Sequence, residues 1–155
     1  MKEYKVKIGD DTTIVFNSDV REVVRKKKSK KKWDNVVYSK FAFDIVYVDN
    51  FSDKFVFEMP YMGEDLLSLH DALCECLLCG QIYSWNNPNP ITLDWSLSKH
   101  SEGSIYTFDL AFFKSVGASV GYKLPPLLLE DIKNLERVLR DYIDDGLIES
   151  TQLDK

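Results

Sequence analysis

The chain is poor in the residue types from which reactive sites are usually assembled. Its 155 residues include two histidines, His70 and His100, and three cysteines, Cys74, Cys76 and Cys79. With neither histidine in a catalytic motif, acid–base chemistry would fall to carboxylates alone. Three cysteines packed into residues 74–79 form an odd, tight set rather than a disulfide framework, which predicts a reducing, cytoplasmic setting. No Gly-x-Gly-x-x-Gly or Gly-x-x-x-x-Gly-Lys string occurs, so a glycine-rich phosphate cradle is excluded. No apolar run approaches the ~20 residues of a membrane span, and Met1–Lys7 lacks the apolar stretch of a secretory signal. A membrane partner is therefore not expected.

Three apparent motifs fail on context. Gly117-Ala118-Ser119-Val120-Gly121 matches a nucleophile elbow, but Pro125-Pro126 stands where a long helix should follow, and both histidines precede Ser119. His100 lies beside Ser98, Ser101 and Glu102, yet neighbours in a turn rarely assemble a triad, so a solvated loop histidine is expected. His70 and Cys74 sit one helical turn apart, whereas Cys76 is rotated by roughly 200° from Cys74. Two ligands on one face do not close a zinc site, so Cys74 reads as a small core hydrophobe and His70 as a boundary residue. The expectation is a protein without catalytic residues, metal or cofactor.

What is present suffices for one core. Hydrophobic residues make up 45% of the chain, including 9 Phe, 8 Tyr and 3 Trp, so a single domain over 1–155 is expected without disulfide or metal staples. Tyr4, Val6 and Ile8 alternate with lysines, Gly9-Asp10-Asp11 supplies a turn, and Thr12–Phe16 returns, which predicts a hairpin. Asp19 with Glu22 fits a capping pattern and predicts a short helix from Val20. Phe41, Phe43, Ile45 and Tyr47 share one face of a long strand that Val36–Tyr38 extends, and Phe55–Met59 is its partner. Ile91, Leu93, Trp95 and Leu97 alternate cleanly and pair with Ile105–Phe113 in a third hairpin, with Gly117–Gly121 as a weak edge.

Two helices complete the reading. Over 64–79, Leu66, Leu67, His70, Leu73, Cys74, Leu77 and Leu78 form one stripe, ended by Gly80. Over 128–144, Ile132, Leu135, Val138, Leu139, Tyr142 and Ile143 form another, ended by Gly146. The predicted class is α+β: an antiparallel sheet of about six strands in three hairpins, packed against two helices.

Charge is the strongest signal. Arg21–Lys32 holds eight bases and one acid, a net +7, and the rest of the chain carries −12. A mobile lysine-rich loop at about 20–34 is expected. One reading assigns function to the acids. Glu130, Asp131, Glu136, Asp141, Asp144 and Asp145 on the C-terminal helix, with a rigid aromatic loop at Tyr83, Trp85, Asn86 and Asn87, would dock on a protein partner such as a nuclease or other nucleic-acid enzyme. The protein would then mask a functional surface of that partner, as immunity proteins, antitoxins and viral anti-defence inhibitors do, and this is the first expectation. The alternative assigns function to the bases. Arg25, Lys26, Lys27, Lys28, Lys30, Lys31 and Lys32 would grip phosphates, with Trp33 stacking on a base.

Overall fold

The computed structural model describes the backbone of residues 2–25, 36–47, 52–58, 64–78, 83–86, 93–102, 105–114, 121–124 and 126–153. It describes the side chains of 2–22, 41–46, 67, 69–78, 96–100, 106–111, 124 and 126–147. The element order is β1 (Tyr4–Ile8), β2 (Thr12–Arg25), β3 (Val36–Tyr47), β4 (Ser52–Glu58), α1 (Glu64–Leu78), β5 (Tyr83–Asn86), β6 (Leu93–Glu102), β7 (Ile105–Lys114), β8 (Gly121–Lys123) and α2 (Leu129–Leu153). The strands form two four-stranded sheets, β1-β2-β3-β4 and β5-β6-β7-β8, antiparallel throughout.

The α+β class and the three predicted hairpins are present, as β1/β2, β3/β4 and β6/β7. Among the described residues, eight strands in two sheets replace the expected six in one. The first cause is β2. It does not stop near Phe16 but runs to Arg25 and pairs with β3, which welds the first two hairpins into one sheet. The helix expected from Val20 is therefore absent. Asn17 Oδ1 accepts the Asp19 amide at 2.8 Å, a local turn made inside the strand, and the β-branched Val23 and Val24 pair with Tyr38 and Val37 respectively. The second cause lies in the other sheet, where β5 and β8 add edges to β6/β7.

The same turn disturbs the ladder. Asn17 pairs with Ala42 and Glu22 with Lys40, so residues 18–21 stand opposite Phe41 alone. A bulge of this kind bends the strand and increases its local twist. Beyond it the hairpin continues to its last pair, Arg25↔Val36.

One apolar cluster joins the sheets and the helices. Ile14, Phe41, Phe43 and Ile45 of the first sheet, Leu97, Phe108 and Leu110 of the second, and the stripe Ile132, Leu135, Leu139, Tyr142, Ile143 and Leu147 of α2 belong to it. The α2 stripe is the one predicted, with Val138 at its margin. The helix does not end at Gly146, however. Gly146 is buried and lies seven residues after Leu139 on the same face. The ~1 kcal/mol propensity cost of glycine is outweighed by tertiary packing of that face.

Among the described side chains of α1, the buried ones are Leu69, His70, Ala72, Leu73 and Cys76. The stripe is thus rotated from the predicted one. Cys76 rather than Cys74 is the core cysteine, and Leu78 is exposed. The helix has no basic residue in its last turn. Its end is held instead from β6, where the buried Lys99 Nζ donates to the Cys76 carbonyl at 3.2 Å and sits 4.5 Å from the Tyr106 ring centroid.

Candidate functional site

The basic segment is carried by the β2–β3 hairpin. Arg25 ends β2, Val36 begins β3, and the two are paired. Lys26, Lys27, Lys28, Lys30, Lys31, Lys32 and Trp33 connect them in the chain and lie outside the described residues. The predicted loop of 20–34 is thereby shortened at its start, since 20–25 is strand.

The root of this hairpin is tied to α2. Arg21, inside the bulge, donates from Nη1 to the Tyr142 carbonyl at 2.6 Å. Its guanidinium lies 4.7 Å from the Tyr142 ring centroid and 5.4 Å from that of Tyr4. Tyr142 donates its hydroxyl to the Asn17 carbonyl at 2.8 Å, and its ring packs on Tyr4 and Phe16. Tyr4 in turn donates to Asp145 Oδ2 at 2.8 Å, and Lys2 does so at 3.0 Å. Burial works to raise the Asp145 pKa, but these two donors and the Lys2 and Arg21 charges outweigh it and hold the carboxyl below its ordinary value. Burial pushes the Tyr4 hydroxyl up.

These contacts correct the acidic-face expectation. Asp145 is engaged by Tyr4 and Lys2, and Asp141 lies 3.9 Å from Lys2. Asp131 Oδ2 accepts the Leu128 amide at 2.9 Å and caps the first turn of α2. Glu136 turns inward to His70. Glu130 is exposed and Asp144 half-buried. Asp131, Glu136, Asp141 and Asp145 therefore engage partners within the fold, in different directions. The aromatic loop is corrected as well, because Tyr83, Trp85 and Asn86 lie in β5, paired with Lys99, Leu97 and Ser96. Asn87 lies outside the described residues.

A second cluster joins the helices. His70 on α1 is buried, and its Nε2 lies 3.1 Å from Glu136 Oε1 on α2. Cys74 Sγ lies 3.8 Å from His70 Nε2 and 3.8 Å from Glu136 Oε1. Arg140 reaches Glu136 Oε1 at 3.5 Å from a half-exposed position. Burial, and then the Glu136 and Asp71 charges, push the Cys74 thiol up. Sequence reading paired His70 with Cys74 by helical spacing but placed Glu136 on an outward face, since no local pattern links residues 66 apart.

The remaining candidates do not converge with either cluster. His100 lies within β6 rather than in a loop and pairs with Asp109 at 3.4 Å, while Ser119 lies outside the described residues. Among the described residues no helix is long and apolar enough to cross a membrane.

No family model matches the chain. No curated protein matches it. Among solved structures, it is similar to the plant transcriptional regulator PBF-2, at 8% identity and TM-score 0.40, over 98% of this chain and 85% of that one. It is also similar to WHY1 from Arabidopsis thaliana, at 10% identity and TM-score 0.43, over 99% of this chain and 90% of that one. With Asp131, Glu136 and Asp145 engaged within the fold and Trp85 in a paired strand, the expectation of a partner-masking inhibitor, antitoxin or anti-defence protein is withdrawn.

Proposed function

We propose that the chain is a nucleic-acid-binding module that grips phosphates with Arg25–Lys32. One observation carries this reading: seven cations in eight consecutive positions are delivered between two strands whose last pair is Arg25↔Val36. Ammonium groups at this density neutralise a polyanion and release its condensed counterions, a contact that is indifferent to base identity. Trp33 follows the run directly and supplies an aromatic face for one base. The bulge at 18–21, clamped by Tyr142 and Arg21, sets the direction in which the hairpin leaves the sheet. The acidity of the remaining chain disfavours broad adsorption of the backbone and confines contact to this end. No reacting group is required, and the module acts by binding alone.

The test is a titration of a labelled single strand and a labelled duplex of mixed sequence. It is run at about 50 and 200 mM salt, a range over which several phosphate contacts cost orders of magnitude in affinity. The expected result is binding at low salt that weakens steeply at high salt and disappears when Lys26–Lys28 and Lys30–Lys32 are changed to alanine. Absence of binding at both salts, or binding unchanged by those substitutions, contradicts the reading.

A further inference from the structure

We infer that His70 Nε2, Cys74 Sγ and Glu136 Oε1 form a binding site for a zinc-class divalent cation bridging α1 and α2. The first two ligands come from one helix face, at a four-residue spacing that brings side chains together. The third comes from the facing helix. The three atoms stand 3.1, 3.8 and 3.8 Å apart. A tetrahedral zinc with bonds of about 2.0–2.3 Å spaces nitrogen, oxygen and sulfur donors about 3.3–3.6 Å from one another. Each observed separation thus lies a few tenths of an ångström from the metal-bound value, within reach of small side-chain rotations.

The donor set selects the class of metal. One imidazole, one thiolate and one carboxylate suit zinc and its close relatives, whereas magnesium and calcium prefer shells of oxygen. Charge balances as well: thiolate and carboxylate together offset a divalent ion, so a partly buried site is left near neutral. Binding releases the Cys74 thiol proton to solvent as the sulfur–metal bond forms. It leaves the imidazole neutral, with its remaining proton on Nδ1. Arg140 is the one described cation against Glu136, and its half-exposed side chain withdraws into water at little cost. The fourth position is open to water or to a further ligand. Metal here would tie two helices that are distant in sequence, and the inference is independent of the reading of Arg25–Lys32.

Cobalt(II) is the probe, because a thiolate ligand gives a sulfur-to-cobalt charge-transfer band and a tetrahedral site gives intense visible d–d bands. The expected result is both signals at one equivalent, displaced by zinc. Cys74→Ser should remove the charge-transfer band, and Glu136→Gln should weaken binding about 10-fold or more. Cys79→Ser should retain the spectrum. A parallel zinc thermal shift on wild type and on Glu136→Gln, which keeps side-chain size, covers the case in which Cys74→Ser folds poorly. The expected result is a larger rise in Tm for wild type than for Glu136→Gln. Absence of a charge-transfer band, its persistence in Cys74→Ser, or equal zinc shifts in wild type and Glu136→Gln would overturn the assignment.

Discussion

Tyr142 donates its hydroxyl to the main-chain carbonyl of Asn17 at 2.8 Å, the residue at which pairing between β2 and β3 slips. The strand is thus held from α2 at the edge of its bulge. The C-terminal helix is therefore a clamp on the strand that leads to the basic segment, as well as a lid on the core.

Tyr142→Phe keeps the ring contacts with Tyr4 and Phe16 and removes that bond. It is expected to cost about 1 kcal/mol. A lower urea midpoint at unchanged slope measures it, with faster amide exchange in residues 18–22. Unchanged exchange there would mean that the bulge holds itself.

Asp145 sets an acid limb. Its carboxyl lies below its ordinary value in the folded chain, so the associated stability is present above the unfolded pKa and is lost as pH falls through the folded one. Wild type should exceed Asp145→Asn in stability at pH 7, and the gap should close below about pH 4. Denaturant curves of both proteins across that range give the difference directly. A gap independent of pH would assign the effect to packing.

Lys99 sets two known costs against each other. An ammonium buried in an apolar core is expensive, but its bond to the Cys76 carbonyl holds the end of α1, and the Tyr106 face adds to it. Hydrogen bonds to charged groups contribute about 1.5–3 kcal/mol. Lys99→Met, which keeps the stem, should therefore destabilise by about 2 kcal/mol, with fraying at the C-terminus of α1. A gain in stability would show that desolvation dominates.

Local periodicity carried much of this architecture. The Tyr4/Val6/Ile8 alternation, the Phe41/Phe43/Ile45 face and, of the α2 stripe, Ile132, Leu135, Leu139, Tyr142 and Ile143 are buried where spacing placed them. The departures arise where distant partners decide. Asn17-Ser18-Asp19 has the composition of a helix start, but it forms a bulge, and β3 pairs with Asn17 before it and Glu22–Arg25 after it. Lys99 follows Leu97 in the alternation of β6 and takes the next inward position, which polarity alone argued against. Gly146 carries a stop signal that the packed face of α2 overrides. Glu136 shows the limit most clearly. It was recognisable as one of several acids on a helix, but its meeting with His70 and Cys74 depends on how α1 and α2 pack.

The most direct measurement of the central claim is the slope of log affinity against log salt for a single-stranded oligonucleotide. Each phosphate contact on a single strand contributes about −0.7 to that slope. Removing Lys26, Lys27 and Lys28 as alanines should make it shallower by about 2, whatever the base sequence. An unchanged slope with these three lysines gone would contradict phosphate contact by the end of the β2–β3 hairpin.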